Sequence, residues 1–131
     1  MCDQANPSLD LRTTRVLAVG EVLFREGDCG DNAYIIDTGL LEISRQAGRA
    51  EMIIGTAKAG EMVGEMALID SQPRSATAKA LKPTTLTVIP KTYFDEALAS
   101  TDPAVRHLLE RFVTIIRSMT DRNVRLTLGL R

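Results

Sequence analysis

The chain is short of the residues that most chemistry would need. It has no Trp, and Phe and Tyr bring the aromatic fraction to only 4%, although 44% of its 131 residues are apolar. A core here has to be assembled from Val, Ile, Leu, Met and Ala. There is one histidine, His107, set between Arg106 and Leu108 in a helical pattern. Metal-dependent β-barrel enzymes need several His or carboxylate ligands on one site, and nucleophilic triads need a base beside a nucleophile motif. Neither pattern is present, so His107 reads as a helix-surface residue and the chain as no enzyme, with no cofactor and no metal required. There are two cysteines, Cys2 and Cys29, with no CxxC and no framework spacing. That pattern supports neither a disulfide scaffold nor a zinc site, and two free thiols fit a reducing compartment. No apolar run approaches the ~20 residues of a membrane span. The start, Met1-Cys2-Asp3-Gln4-Ala5-Asn6-Pro7, lacks the basic and apolar regions of a signal peptide. A cytoplasmic protein with a native beginning and no membrane partner is expected.

Charge of one sign is also missing. Sixteen basic residues face seventeen acidic ones, for a net charge of −1. This offers no footprint for nucleic acid. The distribution is uneven: residues 101–131 hold six Arg and three acids, while residues 1–100 hold ten basic and fourteen acidic residues.

The chain changes character near residue 91. Before it, short apolar runs alternate with turn residues. The candidate strands are Arg15–Val19, Val22–Arg25, Ala33–Asp37, Leu40–Arg45, Met52–Ala57, Ser75–Ala80 and Thr85–Ile89. Asp37-Thr38-Gly39 reads as a hairpin turn, with Gly39 supplying a positive φ. Strands at this spacing point to an all-β sandwich or barrel. After Pro90 the period is helical. Thr92 is a candidate cap for a short helix through Ala99. Asp102-Pro103 is a capping Asp with Pro at the first helical position. Val105, Leu108, Leu109, Phe112, Val113, Ile115, Ile116 and Met119 then give a wide apolar face. Val124, Leu126, Leu128 and Leu130 alternate with mostly polar residues, as either a frayed helix end or a short extended segment.

The segment Gly60–Thr77 carries the chemistry. Gly64 permits a close backbone approach or a positive φ. Glu65-Met66-Ala67-Leu68-Ile69 is a short helix-capable run whose first N–H groups attract an anion. Pro73 ends it and fixes the entry to Arg74. Ser75, Ala76 and Thr77 are small and leave room beside the guanidinium. One Arg fork, a helix start and a hydroxyl suit one phosphate. Glu65 would repel phosphate and suits a sugar hydroxyl.

In this segment the sequence resembles the phosphate-binding cassette of cyclic nucleotide-binding domains. Gly64-Glu65, a hydrophobic residue, Ala67-Leu68, a four-residue spacer and Pro73-Arg74-Ser75-Ala76-Thr77 meet the family pattern at every position. Gly20–Asp28 and Tyr34–Gly39 are similar to the family's early strands and turn glycines, so the resemblance spans roughly residues 12–120. It implies a mainly β fold with C-terminal helices: an eight-stranded, jelly-roll-like β-roll over about 12–90, a short cassette helix, and helices over about 91–125, after a flexible start at 1–11. It implies a sensor binding cAMP or cGMP. Glu65 would accept from the ribose 2′-hydroxyl and Arg74 would clamp the cyclic phosphate. Backbone groups of Gly64, Met66, Ala67 and Ala76 would line phosphate and ribose. Ser75 would donate to phosphate or purine, or serve simply as a small strand residue. Ile43, Ile54, Ala57 and Val63 would lie near the purine, or serve the core.

Some cGMP-selective members have Thr directly after the cassette Arg. Ser75 stands at that position here and also occurs in members resembling cAMP binders, so cAMP is favoured. One or two hydrogen bonds, worth ~1–3 kcal/mol, would decide between them. The C-terminal helix would close over the base, with Arg117 either stacked on the purine or solvated. Its apolar face would serve a homodimer or a partner protein. The competing reading is a roll without ligand that acts as an oligomerisation module. These residues hold no kinase, cyclase or channel segment, nor the further ~60–80 residues of a helix-turn-helix domain.

Overall fold

Thr84–Pro90 alternates strictly between buried and half-buried residues, with Thr84, Leu86, Val88 and Pro90 turned inward. That is the period-two signature of a strand covered on one face, and the roll is built on several such strands. In the computed structural model, which describes residues 13–127, eight strands and three helices follow one another. They are β1 (Thr14–Leu17), β2 (Val22–Phe24), β3 (Asn32–Thr38), β4 (Leu40–Ala47), β5 (Ala50–Lys58), β6 (Met62–Val63), α1 (Glu65–Asp70), β7 (Thr77–Ala80), β8 (Thr84–Pro90), α2 (Lys91–Ala99) and α3 (Pro103–Thr127). All strand pairs are antiparallel, in two four-stranded sheets ordered β1-β8-β3-β6 and β2-β7-β4-β5. This is the mainly β roll with C-terminal helices that the resemblance implies.

The core lies between the sheets: Leu17, Leu23, Tyr34, Ile36, Leu41, Ala57, Val63, Ala78, Ala80, Leu86 and Val88, with Phe24 and Ile43 packed against it. Aliphatic and small side chains dominate, as the aromatic poverty requires. The β3–β4 hairpin turns at Gly39, whose φ of 113° is open only to glycine. A Cβ there would also sit 2.6 Å from the Thr84 Cα. Buried Thr84 holds the same corner: its hydroxyl donates to the Lys82 carbonyl at 2.8 Å and accepts from the Leu40 N–H at 3.2 Å.

Several expectations are corrected. β6 is a strand of only two residues, too short to show alternation. β4 and β5 run to Ala47 and from Ala50, two residues beyond each predicted inner end. Ser75 and Ala76 precede β7 rather than open it. Thr92 lies inside α2, whose N-cap is Pro90 without a side-chain cap. Asp102 does cap α3, its Oδ1 accepting the Ala104 N–H at 2.9 Å. Of the two readings of the tail, α3 takes the helical one as far as Thr127; Leu128 and Leu130 lie outside the described residues. Cys29 is disulfide-bonded, not a free thiol; two isolated cysteines carry no pairing signal in their spacing. Cys2 and the flexible start expected at 1–11 lie outside the described residues. No helix among the described residues is long and apolar enough to cross a membrane.

Candidate functional site

α1 begins where Gly64 takes a left-handed conformation, φ 78° and ψ 7°. A Cβ at Gly64 would meet Arg74 Nη1 at 2.7 Å and the Asn32 carbonyl oxygen at 3.1 Å. The missing side chain therefore allows both the turn and the seating of Arg74 beneath it. Gly30 clears the other flank, where a Cβ would come within 2.8 Å of Nη2. Two backbone bonds pin the Arg74 main chain to the β2–β3 loop: its N–H donates to the Asp28 carbonyl, and its carbonyl accepts from the Gly27 N–H, both at 2.8 Å.

Arg74 is 6% exposed. Its Nη1 donates to the Gly64 carbonyl at 3.2 Å and its Nη2 to the Asn32 carbonyl at 2.9 Å. Its guanidinium carbon lies 4.3 Å from the centroid of the Phe24 ring, a cation–π contact. Among the described residues it has no carboxylate partner. Loss of hydration by burial holds the guanidinium below its ordinary pKa. The positive charge of Arg117 adds to this, while Tyr34, Asp31 and Asp28 oppose it. A buried cation with neutral acceptors alone is costly, and an anion relieves the cost.

Arg74 borders a cavity of about 270 Å³ between the cassette and the inner strands, near the lower end of the range for small-molecule sites. Eleven of the twelve site residues expected from the sequence line it: Ile43, Ala57, Val63, Gly64, Glu65, Met66, Ala67, Arg74, Ser75, Ala76 and Arg117. Glu65 is exposed at its edge, with no hydrogen bond or ion pair among the described residues. Gly64 offers no side-chain cap, so the first-turn amides of α1 find no side-chain acceptor there. Ile43, Ala57 and Val63 form an apolar wall. The Thr77 hydroxyl is already occupied, accepting the Glu26 N–H at 2.9 Å.

Two expectations change. Ile54 does not line the cavity. The β4–β5 register steps from Ile43↔Gly55 to Ser44↔Ile53, so Ile54 is the extra residue of a bulge and is 41% exposed. Strand periodicity alone misses that shift. Arg117 reaches the cavity wall, but it is neither a solvated charge nor a free stacking group. It is ion-paired to Asp70 at 2.6 Å.

Phe24, Thr56, Glu61 and Met62 also line the cavity and were not anticipated. Phe24 had a usable signal, as one of only three Phe in the chain, inside a β-rich motif. The other three had none, because their place depends on the path of β5 and β6. His107 is exposed on α3, and no group of His, Cys, Asp or Glu among the described residues could hold a metal ion.

The cavity of this β-roll thus ends on a buried arginine with no carboxylate partner among the described residues, beside a helix start and an apolar wall. The model of the cyclic nucleotide-binding domain matches residues 14–101, and the chain belongs to that family. It is 29% identical over 112 residues to the cAMP-dependent protein kinase regulatory subunit of Blastocladiella emersonii, an alignment covering 85% of this chain and 28% of that protein. It is likewise 29% identical over 107 residues to the corresponding subunit of Yarrowia lipolytica, covering 82% and 27%. Among solved structures, the cAMP-bound form of the EAL enzyme Bd1971 matches with a TM-score of 0.75 at 34% identity, over 83% of this chain and 30% of that one. Its cGMP-bound form matches at 0.74 and 33%, over 80% and 28%. The Thermus thermophilus catabolite activator protein shares the fold, with a TM-score of 0.67 at 24% identity over 89% of this chain and 54% of that one. This chain thus spans 27–28% of the length of the two regulatory subunits.

Proposed function

We propose that residues 12–131 form one sensor domain that binds cAMP in the cavity above Arg74 and answers by closing α3 over the ligand. The observation that carries this reading is the buried Arg74 without a carboxylate partner among the described residues. In this reading Arg74 holds the cyclic phosphate by charge-assisted hydrogen bonds. Backbone groups of Gly64, Met66, Ala67 and Ala76, with Ser75, complete the phosphate and ribose site. The open carboxylate of Glu65 accepts from the ribose 2′-hydroxyl. The purine lies on Ile43, Ala57 and Val63, with Arg117 at its edge. Closure follows from the ligand's greater affinity for the closed state. The role is regulatory rather than enzymatic, and cGMP is the alternative ligand. The names of the two fungal relatives favour cAMP, whereas one solved relative has both cAMP-bound and cGMP-bound forms.

Titration calorimetry of protein verified free of nucleotide, with cAMP, cGMP and 5′-AMP, tests the reading. Micromolar or tighter binding of cAMP and a weaker response to 5′-AMP are expected. No heat with either cyclic nucleotide refutes it.

A second, compatible role is favoured by the outer face of α3. Val105, Leu108, Phe112, Ile115 and Met119 repeat at alternating spacings of three and four residues, and each is 41–56% exposed. Such spacing suits a coiled-coil seam, and a second copy of the chain is its proposed partner.

A further inference from the structure

Both C-terminal helices reach back to the far end of the cassette helix. From α2, Lys91 Nζ donates to the Leu68 carbonyl at 2.7 Å. From α3, Arg117 donates through Nε to Asp70 Oδ2 at 2.6 Å, through Nη2 to Oδ1 at 3.1 Å, and through Nη1 to the Pro73 carbonyl at 3.3 Å. Asp95 on α2 joins the two helices, 3.7 Å from Lys91 Nζ and 3.0 Å from Arg106 Nη2 on α3. Among the described residues, Arg117 is the one residue of α2 or α3 that lines the cavity.

Resting on the nucleotide reading above, we propose that Asp70 is a positioning residue. Its two-point grip on Arg117 holds α3 against the cassette and keeps the guanidinium in the cavity wall, and bound nucleotide leaves when that grip opens. Three features carry this. An arginine is long and loses much rotamer freedom when fixed, so a lone wall residue of this type needs a partner that orients it. The two side chains are each only 20% exposed, where solvent screening is weaker than for a surface pair. Arg117 and Arg74 are like charges bordering one cavity. Without Asp70 their repulsion would drive Arg117, and α3 with it, away from the wall.

Asp70→Asn is the informative substitution. Asp70 Oδ1 also accepts the Gln72 N–H at 3.1 Å, at the turn where Ser71 has a φ of 54°. An asparagine can keep that acceptor while losing the charge and the Oδ2 acceptor that faces Arg117 Nε. In the full chain without nucleotide, Asp70→Asn is expected to speed hydrogen exchange of α3 amides across residues 109–117 by about 5- to 20-fold. Dissociation of a fluorescent cAMP analogue is expected to accelerate by about the same factor. Arg117→Gln should reproduce both effects, and the double variant should add nothing further. Unchanged exchange in Asp70→Asn overturns the proposal, as do effects of the two single variants that add. A wild-type chain that binds no nucleotide overturns the pocket reading and exit control with it; the exchange arm still decides whether Asp70 holds α3.

Discussion

Replacing Arg74 by methionine is expected to move stability and binding in opposite directions. Arg74 is 6% exposed, and its guanidinium meets two carbonyl oxygens and one ring face. Two hydrogen bonds from a charged donor contribute about 1.5–3 kcal/mol each. A desolvated cation–π contact contributes about 2 kcal/mol. Against these stands the several kcal/mol of removing an uncompensated ion from water. Methionine fills much of the same space without that penalty, so the ligand-free protein should keep its melting temperature or gain a little.

The sign agrees with the titration. Burial lowers the Arg74 pKa in the folded state, so protonation disfavours folding, and that cost is fully present below the folded pKa. It is lifted only as pH rises through that value, in a window between the lowered folded pKa and the usual unfolded one. An arginine keeps its proton at neutral pH, so the cost is in force there. Binding goes the other way. Losing one partner of a desolvated charge pair costs about 2–5 kcal/mol, or roughly 30- to 4,000-fold in affinity. At cAMP near one hundred times the wild-type Kd, the wild-type protein gains about 2.7 kcal/mol, a shift of roughly 8–16 °C, and the variant less than about 1 kcal/mol. Differential scanning fluorimetry with and without cAMP reads both numbers. A variant that keeps the full ligand-induced shift would mean that the phosphate is held elsewhere. A variant whose ligand-free melting temperature collapses would make Arg74 a structural residue.

Two further outcomes are expected. Glu65→Ala should weaken cAMP by about 1.5–3 kcal/mol, and the wild type's preference for cAMP over its 2′-deoxy analogue should vanish in the variant; calorimetry that still finds the preference removes Glu65 from the ribose. Leu108→Asp with Ile115→Asp should turn a dimer into a monomer in sedimentation velocity while leaving the fold intact, since these side chains are 52% and 48% exposed; a wild type that is monomeric at high concentration with and without ligand rules the seam out.

The parts of the site that were legible in the sequence are those fixed by short-range covalent and conformational rules. Gly64, Pro73 and Arg74 lie within eleven residues, so their relation survives whatever the rest of the chain does. The capping Asp102, with Pro103 behind it, is equally local. What was not legible depends on register and on distant segments. The bulge at Ile54 follows from how β5 pairs with β4, a choice made by the packing of both sheets rather than by the sequence of either strand. The Arg117–Asp70 pair joins residues 47 positions apart; helical spacing fixes the face on which Arg117 stands but not which carboxylate that face meets. Gly30 stands between two candidate strands, and only the fold reveals that its bare Cα makes room for a guanidinium from another segment.

The aromatic poverty of the chain takes on a different meaning once Phe24 is seen under Arg74. A buried arginine is most often stabilised by a carboxylate, but a carboxylate at that place would neutralise the fork and compete with an incoming phosphate. Displacing such a partner would exchange one ion pair for another and offset much of what the ligand gains. An aromatic face stabilises the cation by about 2 kcal/mol while supplying no anion and leaving the N–H edges free. The two carbonyls of Gly64 and Asn32 take one donor from each Nη and set the orientation of the plane. Of the five N–H groups of a guanidinium, three then have no hydrogen-bond partner among the described residues. One of three Phe in the chain is thus used on the cation rather than on a base, which leaves the aliphatic wall of Ile43, Ala57 and Val63 for an apolar ring. A net charge near zero is no obstacle to such a site. Affinity for one phosphate depends on a single desolvated and preorganised cation, a local quantity that the sum of thirty-three formal charges does not register.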